Sequence, residues 1–502
     1  MTTLRSAIMA RNDNPMQIKN SRQYLKLLFG KTKVLLFLII LFGLFLRLAF
    51  FSGMGTSDDM AYSGYAYNIG SGIDLERGLT LSTRIGIVYT TALSYKLFGV
   101  NDFSSVLFVL LTSIAGIILV FYFGKLLFNE KIGLMAAFLL AIFPANVADS
   151  TKLLTDIPSA FFMSLGVYFF LHSEIKSGLK YGYFLSGIFI GIGYLIRESA
   201  IIIGLFFLIY VLYKRQIKKE YFIAAAGFLV MLGVELLVLY ALTGNPLFRF
   251  TAVQDYLLKA TIQNNYFGRL SFPQGLFHYP YIILTDSLIS YFYILIFIAI
   301  SYLLIRKKRD AYVLIFWFIS LLLYLSFGSG SFTEYIPFKA TPRYLSVITI
   351  PGILLLACFL MEKARLIRKI VMPAALIALL AASVTTLYLQ ERTAILDNLR
   401  DVYPHLKTLD KPIYTDSRSV KALAYVSSYQ KNMDIRDYPD GLGEISDSYV
   451  IVNNGMVRTL KETYKDIEFP KEIFNPPKSW TIEIESGSSD EDRIIVYYAP
   501  KK

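Results

Sequence analysis

Cysteine is nearly absent from this sequence of 502 residues: Cys358 is the only one, and it lies inside an apolar run. A chain with one cysteine forms no intrachain disulfide, so any part of it outside the cell must be stable without one. Charged residues are also scarce, at 17%, whereas hydrophobic residues make up 55%. That balance argues against a soluble globular chain. The 36 tyrosines and 39 phenylalanines are typical of a protein with many membrane–water boundaries.

The net charge of +13 follows from membrane orientation rather than from binding to nucleic acid. Seven basic residues and one acidic residue, Asp13, occupy the first 33 positions. Further basic clusters, at 214–219 and 306–309, fill short gaps between apolar runs. This is the positive-inside pattern of a multi-span membrane protein, and we expect no nucleic acid as a partner.

The apolar runs predict an α-helical polytopic membrane protein, because a span needs about 20 mostly apolar residues. We read eleven spans, near residues 34–52, 103–124, 132–148, 156–172, 182–197, 199–213, 221–242, 287–305, 311–327, 344–361 and 370–389. The first run lacks a small-residue cleavage site. We therefore expect it to remain as a span rather than to be removed as a signal peptide.

The charges of the connecting loops predict the orientation. With the basic N-terminus inside, the short loops rich in Lys and Arg all fall on one side. We expect a multi-pass protein of the plasma membrane, with a basic cytoplasmic tail at 1–33 and a transmembrane domain at 34–389. Its long outer loops are 53–102 and 243–286. From residue 390 to 502 charge becomes abundant and short strand-like runs appear, which predicts a small soluble α/β domain outside the cytoplasm.

The predicted outer side collects acidic and basic side chains together. They are Arg47, Asp58, Asp59, Arg84, Asp149, Lys152, Asp156, Arg197, Glu198, His278, Lys339 and Arg343. Carboxylates can deprotonate a hydroxyl or hold a divalent ion, and arginines can bind a phosphate bidentately and stabilise it as a leaving group. An apolar bundle lets a lipid tail lie alongside. Together these features predict transfer of a group from a lipid-linked phosphate to a hydroxyl acceptor.

Several motifs resemble those of the GT-C glycosyltransferases. Asp58 and Asp59, soon after the first span, are similar to the modified acidic DxD motif of that superfamily in its DDx form. The other stretches are STRIGIVYTTALSYKLFGVN (82–101), LLTDIPSAFF (153–162), LIRES (195–199) and ATPRYLSVITIP (340–351). They resemble the first-loop helix, the "TDxP" opening of the fourth span and the arginine-bearing outer turns of the family. The resemblance covers about residues 34–360 and is closest to the protein O-mannosyltransferase and aminoarabinose transferase group.

The resemblance implies an inverting glycosyltransferase that takes its sugar from a polyprenyl phosphate and needs no nucleotide. The acceptor would be a hydroxyl of a lipid, a glycan or a protein. By the same resemblance Asp58 is the base that accepts the proton of this hydroxyl. Asp156 is the second carboxylate, which orients the acceptor or a metal ion.

Further roles follow from the same comparison. The candidates for binding the donor phosphate are Arg84, Arg197 and Arg343. Asp59 supports Asp58 or coordinates a divalent cation such as Mg²⁺ or Mn²⁺, and metal dependence stays open. His278 is a further candidate for a supporting or metal-binding role. After Arg84, this sequence has Ile and Gly where many relatives have prolines.

Simpler interpretations of these residues stand beside the functional ones. Asp58 and Asp59 can be a solvated loop pair, and Asp156 an acid that favours the start of a helix. Arg197 can pair with Glu198 next to it. The other interpretations are that Arg343 is an interface anchor and His278 an interfacial packing residue. Arg47 is expected to snorkel to the interface, with contact to the outer cavity as the alternative. For the whole chain, the alternatives are a lipid-linked saccharide flippase or transporter and a polysaccharide polymerase or ligase.

Overall fold

The computed structural model describes the greater part of the chain. The described residues are 30–72, 80–176, 180–262, 273–329, 335, 341–362, 369–370, 372–390, 395–430, 433–439, 441–442, 445–463, 467–487 and 489–501. Most of the predicted basic tail, residues 263–272 of the second outer loop, and Lys339 lie outside them. The candidate residues other than Lys339 are all described.

The described residues are mostly α-helical. The helices are α1 Lys31–Ala49, α2 Asp58–Gly70, α3 Ile85–Phe98, α4 Asp102–Leu127, α5 Glu130–Ile142, α6 Pro144–Asp149, α7 Asp156–Ile175, α8 Lys180–Ile196, α9 Ile203–Lys214, α10 Glu220–Thr243, α11 Phe248–Ile262, α12 His278–Thr285, α13 Ser290–Ile305, α14 Tyr312–Phe327, α15 Ser346–Leu360, α16 Met372–Leu389, α17 Ile395–Leu406, α18 Ser417–Val426 and α19 Asn454–Thr463. Short 3₁₀ turns at Thr80–Thr83, Glu198–Ile202 and Pro342–Leu345 precede α3, α9 and α15.

The apolar helices make the chain a multi-pass membrane protein. In the described part, six helical segments are long and apolar enough to cross a membrane, and a seventh is obtained if the bent pair Gly275–Thr285 and Ser290–Ile305 counts as one span. Each of the eleven predicted spans overlaps an apolar helix of the structure. The apolar helices outside those six segments and the bent pair are too short or not apolar enough for that test, so the number of crossings stays a prediction.

One predicted span, 132–148, is broken in the structure. Helix α5 ends at Ile142, Phe143 is extended, and Pro144 begins the short helix α6. Proline has no N–H to continue the hydrogen-bond ladder but fits the first turn of a new helix. The break was hidden by the continuous apolar character of the run. It turns α6 so that Asn146 and Asp149 line an internal cavity.

The C-terminal part contains a five-stranded sheet. Its strands are β1 Ile413–Thr415, β2 Ile435–Asp437, β3 Ser448–Asn453, β4 Thr481–Ser486 and β5 Ile494–Ala499, in the order β2-β1-β3-β5-β4. β1 is parallel to β2 and β3, and β5 is antiparallel to β3 and β4. The sequence predicts four of these strands. It does not reveal β2, which is three residues long and half-exposed. The predicted fold class, a helical membrane bundle followed by a small α/β part, is confirmed.

A shared apolar core joins this sheet region to the loop helices. Met60 and Tyr65 of α2 lie in one buried cluster with Ile87 of α3, Leu399 of α17 and Leu423 of α18. The start of α2, which carries the paired aspartates, is therefore held between the bundle and the C-terminal part.

Candidate active site

Asp58 is the first residue of α2, and its carboxylate faces Arg343. The Oδ2 atom of Asp58 accepts a hydrogen bond from Nη2 of Arg343 at 2.8 Å. Burial raises the pKa of Asp58, but the charges of Arg343, Arg84 and Arg197 outweigh it and hold the pKa below its usual value. Asp58 is thus an ionised carboxylate, about one third exposed, at the edge of a cluster of arginines.

Asp156 begins α7 and lies deeper than Asp58. Its side chain is 4% exposed, and one oxygen forms a short ion pair with Arg197. The other oxygen, Oδ2, has no hydrogen-bond partner among the described residues, because Nε of Arg343 lies 3.8 Å away, too far for a hydrogen bond. Arg343 therefore stands between Asp58 and Asp156. The Oδ2 atom of Asp156 is thus buried and unsatisfied in the described part of the chain.

Tyr344 supports two of the arginines, and no motif in the sequence had pointed to it. The guanidinium of Arg197 lies 4.3 Å from the centre of its ring, and that of Arg343 lies 5.6 Å away. Such contacts stabilise a cation over an aromatic face. Its position directly after Arg343 was the only sequence signal that could have suggested this role.

Arg84 pairs with Glu198 across the site. Nη2 of Arg84 lies 2.6 Å from Oε1 of Glu198, and Nε donates to Oε2 at 3.1 Å. Arg84 also donates to the hydroxyl of Tyr62. Burial raises the pKa of Glu198, but Arg84 and then its other cationic neighbours hold it far below the usual range.

The local pair between Arg197 and Glu198, the simpler alternative for these two residues, does not form. Adjacent residues at the end of α8 point apart: Arg197 turns to Asp156, and Glu198 turns to Arg84. Local spacing could not predict this exchange, because both true partners come from distant parts of the chain.

Asp59 lies next to Asp58 but is turned away from the arginines. Its oxygens accept hydrogen bonds from the backbone N–H groups of Gly55, Ser57 and Met60. Burial raises its pKa despite these donors. The carboxylate closes the turn that leads into α2 through these backbone contacts, and its supporting or metal-binding role stays a prediction. In the described part of the chain, no group of three or more His, Cys, Asp or Glu side chains could hold a metal.

Among the described residues, the remaining outer candidates form no ion pair with this cluster, although Asp149 lines a cavity together with Asp156 and Arg343. Asp149 pairs with Lys152 at 3.0 Å, and His278 begins α12 without a described contact to the arginines. The expectation that Arg47 snorkels to the interface is wrong: its side chain is 0% exposed and donates to Ser113 and to Asn146. Acceptors on neighbouring helices, Ser113 and Asn146, replace water as hydrogen-bond partners of the Arg47 guanidinium.

Two adjoining cavities open beside the cluster, with about 320 and 300 Å³ of empty volume. Asn146, Ile157, Ser346 and Thr349 line both of them. The second is also lined by Asp156 and Arg343. Charged groups at the cavity mouth and apolar walls behind them suit an amphiphilic ligand.

Comparison with known proteins gives one match in sequence and several in structure. Residues 85–240 match the family described as dolichyl-phosphate-mannose-protein mannosyltransferase. That segment contains Asp156 and Arg197 but ends before Arg343. No curated protein sequence matches the chain at a significant level.

Solved structures match over nearly the whole chain. The apo form of ArnT from Cupriavidus metallidurans is 13% identical, with 95% of this chain and 98% of that one covered and a TM-score of 0.62. ArnT from the same organism bound to undecaprenyl phosphate is 14% identical over 92% and 97% of the two chains, with a TM-score of 0.61. The archaeal oligosaccharyltransferase AglB from Archaeoglobus fulgidus is 14% identical over 85% and 70%, with a TM-score of 0.53. At these identities the likeness establishes the fold, and the chain has the GT-C fold that its motifs predict.

Proposed function

We propose that this chain is an integral-membrane glycosyltransferase that moves a sugar from a polyprenyl phosphate to a hydroxyl acceptor at the outer face of the membrane. The observation that carries the proposal is the position of Arg343 between the carboxylates of Asp58 and Asp156. This arrangement supports a site that combines a phosphate-binding group, a proton acceptor and an unsatisfied buried oxygen. The matched structure with undecaprenyl phosphate and the matched mannosyltransferase family support a lipid-linked donor.

Arg343 is the best placed of the three arginines to meet the donor phosphate. Its side chain is 27% exposed, whereas those of Arg84 and Arg197 are 10% and 11% exposed. Arg197 is held by the buried Asp156, and Arg84 is held by Glu198, whose side chain is about one third exposed. Both arginines contribute positive potential, which favours an incoming anion at the cavity mouth.

Binding of the phosphate changes the basicity of Asp58. In the structure Arg343 lowers the pKa of Asp58, which makes the carboxylate a weaker base. A phosphate that accepts the Arg343 donors takes them from Asp58. The pKa of Asp58 then rises, so the base becomes stronger only when the donor is bound.

The transfer step follows from these positions. The acceptor hydroxyl oxygen attacks the anomeric carbon, and its proton passes to Asp58. The bond between the anomeric carbon and the phosphate oxygen breaks, and its electron pair leaves with the polyprenyl phosphate. Attack opposite the leaving group inverts the anomeric configuration, through an oxocarbenium-like transition state similar to that of glycosidases. Arg343 stabilises the charge that develops on the phosphate.

Asp58→Asn tests this assignment. The amide keeps the shape of the side chain but accepts no proton, so we expect transfer to fall by about 10²–10⁴-fold, the usual contribution of a general base. The assay is transfer of labelled mannose from polyprenyl-phosphate mannose to native membranes by purified protein in nanodiscs.

The matched control is Glu174→Gln. Glu174 forms a buried ion pair with Lys218 at 2.9 Å, and it lies near the far end of α7, about 27 Å along the helix from Asp156. Full activity of Asp58→Asn at normal expression would remove Asp58 from the base role. Movement of the intact donor across a proteoliposome without transfer of its sugar would instead favour the flippase alternative.

A further inference from the structure

Arg47 is a fully buried cation inside an apolar helix. It lies in the last turn of α1, and among the described residues it forms no ion pair. Ionisable residues within membrane spans are unfavourable and mark functional sites by default. Arg47 Nε donates to Oγ of Ser113 at 2.8 Å, and Nη1 donates to the carbonyl oxygens of Gly43 at 2.9 Å and Ala141 at 3.3 Å. Its remaining contact is with the side chain of Asn146.

That contact determines which way the amide of Asn146 faces. Nη2 of Arg47 lies 2.6 Å from Oδ1 of Asn146. A guanidinium can only donate hydrogen bonds, so the amide atom beside it must be the oxygen. Ser113, which accepts from Arg47, donates to the same Oδ1 atom at 2.7 Å. The two contacts fix the amide in one orientation, and the nearby positive charge polarises it into a better donor.

The amide nitrogen of Asn146 therefore faces away from Arg47. Within the described part of the chain, this NH₂ group donates no hydrogen bond. Asn146 lines both cavities, and the second is also lined by Asp156, whose buried Oδ2 atom has no hydrogen-bond partner. Asn146 thus brings an unused donor to a cavity that is also lined by Asp156, whose buried Oδ2 atom is unsatisfied. A hydroxyl of a sugar ring can accept from the NH₂ group of Asn146, because a hydroxyl both accepts and donates hydrogen bonds.

We propose that Asn146 binds the sugar of the lipid-linked donor through its NH₂ group, with Arg47 as the positioning residue that fixes the amide. This inference rests on the proposed function. The donor sugar is favoured over the acceptor because Arg343, assigned to the donor phosphate, lines the same cavity as Asn146. The sugar is bonded directly to that phosphate, so it must lie next to it. Asp58, assigned to the acceptor, is not among the residues that line this cavity.

The test compares two ligands that differ only in the sugar. Native mass spectrometry of the full chain in nanodiscs measures the Kd for undecaprenyl phosphate and for undecaprenyl-phosphate mannose. Asn146→Asp keeps the size of the side chain and pairs with Arg47 but lacks the NH₂ group. We expect it, like Asn146→Ala, to lower the preference for the mannosylated lipid by about 3–10-fold, as for one lost hydrogen bond, with the Kd for the bare lipid unchanged.

Arg47→Met and Thr112→Val complete the series. Arg47→Met frees the amide to turn over and should give a smaller loss of preference than Asn146→Asp. Thr112 lines the first cavity, but its hydroxyl donates to the carbonyls of Phe108 and Val109, so Thr112→Val should keep the wild-type preference.

Three results would overturn the inference. An equal loss of affinity for both lipids would mean that Asn146 acts on the phosphate or on the fold. An unchanged lipid preference with a raised KM for the acceptor would place the acceptor in the cavity. Both of these outcomes leave the proposed function standing. If the wild type bound neither lipid, the proposed function would fail as well.

Discussion

Arg343 controls the charge state of the site at the scale of single residues. Its guanidinium is shared between Asp58 at 2.8 Å and Asp156 at 3.8 Å. Tyr344 lies beneath it and limits its movement. Because the pKa of Asp58 is lowered chiefly by Arg343 against the opposing effect of burial, the pH dependence of the enzyme reports directly on this contact.

Arg343→Gln should change the pH dependence of transfer. Without the cation of Arg343, less positive charge opposes the effect of burial, so the pKa of Asp58 rises and the acidic limb of the pH profile moves to higher pH. The wild-type limb lies below the ordinary Asp pKa of about 3.9, because a lowered pKa keeps the carboxylate ionised until the pH falls through it. The measurement is kcat/KM against pH, which reports the pKa values of the free enzyme.

Arg343→Lys is the matched variant. Lysine retains the positive charge but loses the bidentate fork of the guanidinium. We therefore expect a higher KM for the donor and a smaller shift of the acidic limb than in Arg343→Gln. An acidic limb that stays in place in Arg343→Gln would show that Arg343 does not set the basicity of Asp58.

The elements that carry Arg84 and Arg197 are held together by another buried arginine, Arg249. Arg249 of α11 donates to the carbonyl oxygens of Thr83 at 2.6 Å, Tyr194 at 2.8 Å and Leu195 at 3.2 Å. Thr83 immediately precedes Arg84, and Tyr194 and Leu195 end α8 just before Arg197. The last carbonyls of a helix need such donors. Arg249 lies 2.8 Å from Glu235 of α10, and both are almost fully buried.

Arg249→Met should therefore disturb stability and catalysis together. It leaves Glu235 as a buried unpaired carboxylate, which typically costs about 3–5 kcal/mol, and it frees the turns before Arg84 and Arg197. We expect a lower Tm in detergent and reduced transfer activity. The double variant Glu235→Gln with Arg249→Met should regain much of the Tm, since no lone charge remains, but not the activity. Recovery of both would show that Arg249 only balances a charge.

Helices could be predicted from the sequence much better than contacts between them. The stretch 82–101, which resembles the first-loop helix of the GT-C family, contains α3 at Ile85–Phe98, because helical spacing of apolar residues is local information. The break at Pro144 was missed, since apolar character continues through it. The pairs Arg84–Glu198 and Arg197–Asp156 join residues 114 and 41 positions apart. Only the packing of the bundle brings those partners together.

At the scale of the whole molecule, the C-terminal part clamps the helix that begins at Asp58. Tyr429 stacks on Tyr67 of α2 with ring centres 4.4 Å apart, and its hydroxyl donates to Ser63 at 2.7 Å. Tyr425 donates to Asp102 at 2.9 Å, and Arg400 binds the same carboxylate. These contacts favour a structural role for the C-terminal part.

Loss of this clamp should be visible in α2. Tyr429→Ala removes the stacked ring, a contact of about 0.5–1.5 kcal/mol beyond its buried area, so we expect faster hydrogen exchange at residues 58–70 and a lower kcat. Tyr449→Ala removes a similar aromatic contact, with Tyr498 inside the sheet at 5.3 Å, and serves as the control. Equal protection of residues 58–70 in both variants and the wild type would show that α2 is held by the bundle alone.

The ion pair between Asp58 and Arg343 also bears on how a turnover ends. In the proposed cycle Asp58 is protonated once the sugar has moved, so it has no charge with which to attract Arg343, and the spent polyprenyl phosphate stays bound. When Asp58 returns its proton to water, the carboxylate competes with the product for the same guanidinium. Release of the polyprenyl phosphate is thereby coupled to deprotonation of Asp58. The next donor then binds to a site in which Asp58 is already an ionised carboxylate.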